Sequence, residues 1–479
     1  MSVPLSRRQL LSLPFAGLAS AAAARKLNVL FIAVDDLNNR IGCYGDPVVR
    51  TPNIDRLARH GVRFDRSYCQ YPLCNPSRTS LLSGRRPDST QIFNNTTPPR
   101  TFLKDVVFLP EHFRNHGYFT ARVGKIAHGR YEDAVTWDIS ENSGVDDDDS
   151  RGKSGREAKE AKIAQRRKKA AVTQAREGGL KLQWVKTDNK DEDEPDGHTA
   201  RRIARLMEQH KAGPFFLGAG FHKPHLPWIA PRKYFDMYPP EKIRLPETPA
   251  DDRGDIPPIA LTRTVGDDQM TDLEKKSAIA AYHAATSFMD AQVGYLLDTM
   301  DRLKMWDNTI VMLFGDHGWH LDEHLGLWRK MTVFEEAARA PMIFCAPGMK
   351  AGVACPRLVE YVDIYPTLTE LCGLPAPQGA EGISFAPLLE DPQRPWKKAV
   401  FTQVVHGRNV MGRSVRTDRY RYTEWGDSKT SELYDHEVDI HEFRNLAFGP
   451  APAPKDATLK EQLSRVLRDG WRAALPPGR

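Results

Sequence analysis

Five predominantly apolar runs recur along the chain, at 27–34, 118–123, 214–219, 309–314 and 341–344. An unbroken apolar run of this length suits a strand covered on both faces, whereas a half-buried strand alternates. Helical patterns lie between the runs. The clearest spans 272–303, where Ile279, Tyr282, Phe288, Met289, Leu296 and Met300 fall near helical spacing. Strands alternating with helices predict an α/β fold with a large, mostly parallel sheet flanked by helices. Ligands in such sheets bind beyond the carboxyl ends of the strands. Three of the runs lead directly into polar clusters there: Asp35-Asp36, His222-Lys223-Pro224-His225 and Asp316-His317.

The pattern changes twice. From about 146 to 195 branched apolar and aromatic residues nearly vanish, and four consecutive Asp, a basic run and an Asp-Glu-Asp-Glu stretch take their place. This predicts a surface insert, helical in part at its Ala/Lys/Arg-rich centre. After about 396 the segments become short and strand-like, 415–422 for example, and end in an amphipathic helix over 459–474. The expected organisation is a main domain over 25–395 and a small α+β domain over 396–479.

Composition changes this picture little, but the distribution of charge does. The net charge is +6, yet ten Lys/Arg face two Glu between Arg151 and Arg176, so that segment carries the whole surplus. A diffuse basic surface for nucleic acid is therefore not expected. The basic segment either docks a polyanionic substrate or is simply solvated. At the N-terminus, Arg7-Arg8 precede a short apolar stretch ending in Ala21–Ala24. This predicts a twin-arginine-type signal over 1–24 and an exported protein, periplasmic or secreted. The stretch is too short to span a bilayer, which takes about 20 residues, and no other membrane span is expected. Six cysteines at irregular spacing make neither a disulfide scaffold nor a zinc ribbon, and which of them pair is left open.

The segment richest in chemistry is Cys74-Asn75-Pro76-Ser77-Arg78, followed by Gly84-Arg85. Pro76 suits the start of a helix, which sets Cys74 just before a helix N-terminus, where backbone N–H groups favour an anion. The segment resembles the Cys-x-Pro-Ser-Arg signature of the type I, formylglycine-dependent sulfatases, with the iduronate-2-sulfatase branch most similar. Agreement extends from Leu27 to about Leu446 through 34–37, 42–46, 84–88, 222–227 and 411–417. The resemblance implies an alkaline-phosphatase-like sandwich and oxidation of Cys74 to Cα-formylglycine by a separate maturation enzyme. A hydrated aldehyde carries two hydroxyls on one carbon; one attacks sulfur, and loss of the other's proton expels sulfate, which splits one hard step into two.

The same resemblance assigns the remaining roles. Asp35, Asp36, Asp316 and His317, with Cys74, would hold Ca2+, the alternatives being Mg2+ or Mn2+. Arg78, Lys125 and Lys330 would neutralise the transferring group. His225 would protonate the leaving oxygen and His128 would act as base. Trp319 would wall the sugar pocket. The implied substrate is a sulfated glycan or oligosaccharide bearing a 2-O-sulfated uronic acid. Two departures bear on it: His320 and Asp322 differ from the branch pattern, and one extra residue precedes Lys330. Two other readings compete, a phosphonate or phosphodiester hydrolase favoured by His317, and a silent glycan-binding homologue.

Overall fold

All five apolar runs become strands of one sheet. In this computed structural model the described residues are 26–143, 182–262, 270–427, 429–449, 454–476 and 478. Their strands are β1 (Asn28–Val34), β2 (Val62–Tyr68), β3 (Phe119–Gly124), β4 (Ile139–Glu141), β5 (Trp184–Thr187), β6 (Phe215–Phe221), β7 (Trp228–Pro231), β8 (Thr309–Gly315), β9 (His320–Leu321), β10 (Trp328–Arg329), β11 (Met342–Cys345), β12 (Val353–Glu360), β13 (Ala399–His406), β14 (Val410–Thr417), β15 (Tyr420–Trp425) and β16 (Thr430–Asp435). The main sheet runs β12-β2-β11-β8-β1-β6-β3-β4. Only β11 is antiparallel to its neighbours, so the sheet is mixed but mostly parallel.

Alternate residues of the central strands feed two separate cores, which is why these runs are predominantly apolar on both faces. Phe31, Phe216 and Phe314 pack to one side, with Leu81 and Leu82 of the Cys74–Ser83 helix. Ile32, Leu217 and Leu313 pack to the other, against Ile203 and Leu206 of the Pro195–Gln209 helix and Met289 and Leu296 of the Asp272–Leu303 helix. This last helix has the bounds its periodicity predicts. Thr271 starts it with a reciprocal capping box: its N–H donates to Glu274 Oε2 at 2.7 Å, and Glu274 N–H donates to Thr271 Oγ1 at 3.4 Å.

Strand register positions the site. Val34 of β1 lies opposite Phe221 of β6 and Gly315 of β8. The next residues of the three strands, Asp35, His222 and Asp316, therefore emerge side by side at one edge.

Several expectations need correction. The low-complexity stretch predicted to reach 195 yields earlier to regular structure: β5 pairs in parallel with β7, and the 195–209 helix follows. The leader over 1–24 and the basic segment 151–176 lie outside the described residues. The predicted strand 415–422 is two strands, β14 and β15, joined by a turn. That turn has neither Gly nor Pro. Thr417 closes it by accepting the Tyr420 N–H at 2.9 Å, so the alternation of the flanking strands reads straight through. β13–β16 form an antiparallel sheet of their own, against which Leu463 and Ala474 pack. The last helix runs Pro454–Ala473, earlier at both ends than predicted, and is interrupted at Gly470. All six cysteines are free thiols. Among the described residues no helix is long and apolar enough to cross a membrane.

Candidate active site

Cys74 is the first residue of its helix, which starts two residues before the Pro76 start that the sequence suggests, and every residue of that helix is buried. Gly84 ends the helix in the left-handed conformation (φ 67°), which accounts for the glycine of the Gly-Arg pair. From this fixed position the Cys74 Sγ lies 3.4 Å from His317 Nε2, 4.0 Å from Asp36 Oδ1 and 3.1 Å from Lys330 Nζ. The Lys330 ammonium also donates to Asp36 Oδ1.

Arg78, one turn further along the helix, ties the strand ends together. Its Nε donates to Asp316 Oδ2 at 2.8 Å, a second nitrogen reaches Asp35 Oδ1 at 3.4 Å, and the third donates to the carbonyls of Lys125 and Ile126 at 2.7 and 3.0 Å. Lys125 Nζ in turn donates to Asp35 Oδ2 at 2.6 Å. Lys125 gets there because β3 and β6 approach closely at their ends. A Cβ on Gly124 (φ 82°) would fall 2.0 Å from the Gly220 carbonyl, so only glycine fits.

His225 Nε2 lies 3.8 Å from Asp36 Oδ2, and His222 Nδ1 lies 3.9 Å from Asp35 Oδ2. Their loop is anchored by Asp196, which accepts the His222 and Lys223 N–H groups at 2.8 and 2.9 Å. Asp36 itself has φ 60°. Its N–H donates to Asp316 Oδ1 at 3.0 Å, and its carbonyl accepts from the Tyr282 hydroxyl at 2.8 Å.

The predicted set is thus brought together almost whole: Asp35, Asp36, Cys74, Arg78, Lys125, Asp316 and His317 form one buried cluster, with His225 and Lys330 part-buried at its edge. His128 lies three residues past Lys125 on the same connection and pairs its ring with Tyr131. Trp319 is 2% exposed, with the Lys330 ammonium 5.3 Å from its ring centroid. His320 and Asp322, the unexpected residues, have structural partners: His320 pairs with Thr332 Oγ1 at 2.7 Å and Asp322 with Lys275 at 3.0 Å.

Sequence reasoning missed two supports. Tyr282 reads only as part of an apolar helix face, because nothing in a 3.6-residue period tells a hydroxyl what it meets. His222 stands in the quoted motif but received no role.

Electrostatics at the cluster show why it suits a cation. Burial alone would push Asp35 up, but Lys125, His225, Arg78 and Lys330 hold it well below the usual carboxylate range. Asp36 is pushed up to about 7 by burial, only partly offset by Lys330, with Cys74 and Asp35 adding to the rise. Burial works against a charged His317, yet Asp316 and Cys74 raise it to about 9. Burial depresses His225 well below its ordinary value, Lys330 and Lys125 adding to that against the pull of Asp35. Asp36 Oδ2 is buried and accepts no hydrogen bond from the described residues. Asp35, Asp36 and Asp316 each offer an oxygen within 4.8 Å of the others. An orphaned carboxylate oxygen among hard donors fits a divalent cation.

A cavity of about 600 Å³ opens onto this cluster, lined by His225, Trp319, Trp328, Arg329, Lys330 and His406 among others. His406 comes from β13, so the C-terminal sheet contributes a wall.

A mostly parallel sheet with acidic, imidazole and cationic groups converging beyond its strand ends defines a hydrolase of anionic esters on the alkaline-phosphatase-like fold. The chain belongs to the sulfatase family, whose model matches residues 27–374, and it is a sulfuric ester hydrolase. Residues 322–469 match the C-terminal region of N-sulphoglucosamine sulphohydrolase. It is 34% identical over 438 residues to a sulfatase of Formosa agariphila, covering 88% of this chain and 83% of that protein. It is 31% identical over 502 residues to the iduronate 2-sulfatase of Mus musculus, covering 88% of each. Among solved structures, a 2-O GAG sulfatase superposes with a TM-score of 0.70 at 25% identity, covering 93% of this chain and 92% of that one. A phosphonate monoester hydrolase from Silicibacter pomeroyi superposes with a TM-score of 0.73 at 23% identity, covering 92% and 95%.

Proposed function

We propose that the protein hydrolyses 2-O-sulfate on uronic acid residues of sulfated glycans, with Cys74 matured to formylglycine as nucleophile. The observation that carries the reading is the placement of Cys74, at a buried helix start and 3.1–4.0 Å from Lys330, His317 and Asp36. Its Sγ marks where the oxygens of the matured side chain would stand.

Asp35, Asp36, Asp316 and His317 would hold Ca2+ with the matured residue; the ion would polarise the sulfate and offset its charge. Arg78 and Lys125 hold the metal-binding carboxylates in place. Lys330, already beside Cys74, neutralises charge on the sulfuryl oxygens. His225, kept neutral by burial, would take a proton from solvent and deliver it to the leaving oxygen, and His128 would accept the proton whose loss releases sulfate. Trp319 would bound the sugar. We further assign 1–24 as an export signal, which gives a periplasmic or secreted enzyme, and divide the rest at 395/396.

The mass of the tryptic peptide 67–78, from protein expressed with a formylglycine-generating enzyme, tests the nucleophile. A loss of about 18 Da that fragmentation assigns to Cys74 and not to Cys69 is expected, and Cys74→Ala should lower kcat by at least about 10³-fold. An intact thiol under conditions that mature a control sulfatase would overturn the assignment. The imidazole at His317, 3.4 Å from Cys74, favours a second reading as a phosphonate or phosphodiester hydrolase. Faster turnover of a phosphodiester than of any sulfate ester would establish that reading instead.

A further inference from the structure

We propose that Tyr282 is a positioning residue that holds Asp36 in place for the cation before the cation binds, an inference that rests on the metal assignment above. The chain leaves β1 by a turn in which Asp36 has φ 60°, a conformation uncommon outside glycine. Such conformations persist only where the surrounding structure holds them. Here one hydroxyl spans the turn. Tyr282 donates to the Asp36 carbonyl at 2.8 Å and accepts the Asn38 N–H at 2.9 Å. A phenol has one proton to give and a lone pair with which to accept, so the two bonds are compatible. From the other side, the Asp36 N–H donates to Asp316 Oδ1 at 3.0 Å. The backbone of Asp36 is thus held at its donor and its acceptor, and neither bond uses Oδ2, the carboxylate oxygen left without a donor.

The phenol is itself fixed. Every residue of its helix from Ala278 to Asp290 is buried. Its ring meets Trp228 edge-on with centroids 6.0 Å apart, and the Trp228 indole N–H donates to the Pro224 carbonyl at 2.7 Å, in the loop that carries His225. The Asn38 side-chain amide donates to the Trp319 carbonyl at 3.0 Å. Tyr282 therefore sits where the turn after β1, the loop after β6 and the segment after β8 meet. Phenylalanine would fill the same space but leave a buried carbonyl and a buried amide without this partner, a state that native structures avoid. A ligand whose backbone is already ordered need not be ordered again on binding, so this clamp should be read out as metal affinity.

Calorimetric titration of chelated, matured protein with calcium tests this in the wild type, Tyr282→Phe and Tyr238→Phe. Tyr238 is the control. Its hydroxyl also accepts a backbone N–H, that of Arg50 at 2.8 Å, and pairs with Ser287 of the same helix at 2.6 Å, but it touches no predicted cation ligand. Tyr282→Phe should raise the calcium Kd by about 10- to 100-fold, the usual effect of losing a group that orients a metal ligand. Tyr238→Phe should leave the Kd unchanged, although both variants should melt below the wild type in chelator. An unchanged Kd in Tyr282→Phe, or equal weakening in the two variants, would overturn the proposal and leave the metal assignment standing.

Hydrogen exchange of the wild type tests the same point without requiring a variant to fold. The Asp36 and Asn38 amides should be protected in chelator and gain little when calcium is added. Protection that arises only with calcium would mean that the cation, not Tyr282, orders the turn, and would overturn the proposal. A wild type that binds none of calcium, magnesium and manganese would overturn the metal assignment and this proposal together.

Discussion

Two clusters of buried charge sit within this molecule, and they differ in one respect that decides what each can do. At the strand ends, Asp35, Asp36, Asp316, Arg78, Lys125 and Lys330 converge with Cys74 and His317. At the junction with the C-terminal sheet, Glu335 and Glu442 meet Arg421, Arg416, Arg339 and His436. Both have the residue types of a metal site, and Glu335, His436 and Glu442 come as close together as the strand-end groups do. In the junction cluster, however, every carboxylate oxygen is satisfied. Glu335 Oε1 accepts from Arg421 at 2.6 Å and Arg416 at 3.0 Å, and its Oε2 accepts from Tyr68 at 3.2 Å. Glu442 Oε1 accepts from Arg421 and pairs with His436, and its Oε2 accepts the Glu335 N–H at 2.9 Å. The strand-end cluster leaves Asp36 Oδ2 without a donor and opens onto a cavity. Buried charge alone therefore does not mark a site. An unsatisfied oxygen facing space for a ligand does.

The sharpest way to break this contrast is to unbalance the junction. Arg421→Met leaves two buried carboxylates short of their shared guanidinium, and removing one partner of a buried pair costs about 3–5 kcal/mol. The unfolding midpoint in urea should fall accordingly, whether or not calcium is present. An unchanged midpoint would mean that the junction charges do not depend on one another as their geometry requires.

How far the two clusters could be read in the sequence differs in the same way. The strand-end groups follow apolar runs, and their positions fall in a recognisable local motif, so Asp35, Cys74, Lys125 and Asp316 are legible in the amino-acid sequence alone. Their convergence is not, because it depends on the register of Val34 against Phe221 and Gly315 across nearly 190 and 280 residues. Glu335, Arg421 and Glu442 have no local signal at all. Each is a charged residue in a half-polar segment, and only the docking of the second sheet makes them partners. The helix over 272–303 could be read to the residue because its cap and its period agree. The 415–422 hairpin could not, because its turn is closed by Thr417 and not by glycine or proline.

A smaller effect sharpens the contrast from the other side. Calcium at about 100 times its Kd should stabilise the native protein by about 2.7 kcal/mol relative to chelated protein, since the unfolded chain has no formed site. Asp36→Asn should abolish this increment in a thermal-shift titration, and Glu442→Gln should preserve it even though the variant starts from a lower melting temperature. Loss of the calcium response in Glu442→Gln, with retention in Asp36→Asn, would exchange the roles assigned to the two clusters.

The smallest expected effect lies in acid. Burial would raise Glu442 and Glu360, but Arg421 holds Glu442, and Arg86 and Lys397 hold Glu360, each at about 2 against an ordinary value of 4.5. A carboxylate depressed in the folded state contributes stability that is fully present above its unfolded value and lost as pH falls towards the folded one. Neither group should impose a pH dependence between 8 and 6. By pH 4 the unfolded chain already binds protons that the folded one refuses, which costs about 1 kcal/mol per group. The contribution of these two groups to urea melts at pH 7, 5 and 4 should therefore be a fall confined to the last step. Glu442→Gln should shrink that fall by about half of the part the two groups contribute, whatever it does to the stability at pH 7. A fall of the same size in the variant would mean that the junction carboxylate is not held ionised by Arg421, and the distinction between a satisfied and an unsatisfied cluster would lose its electrostatic basis.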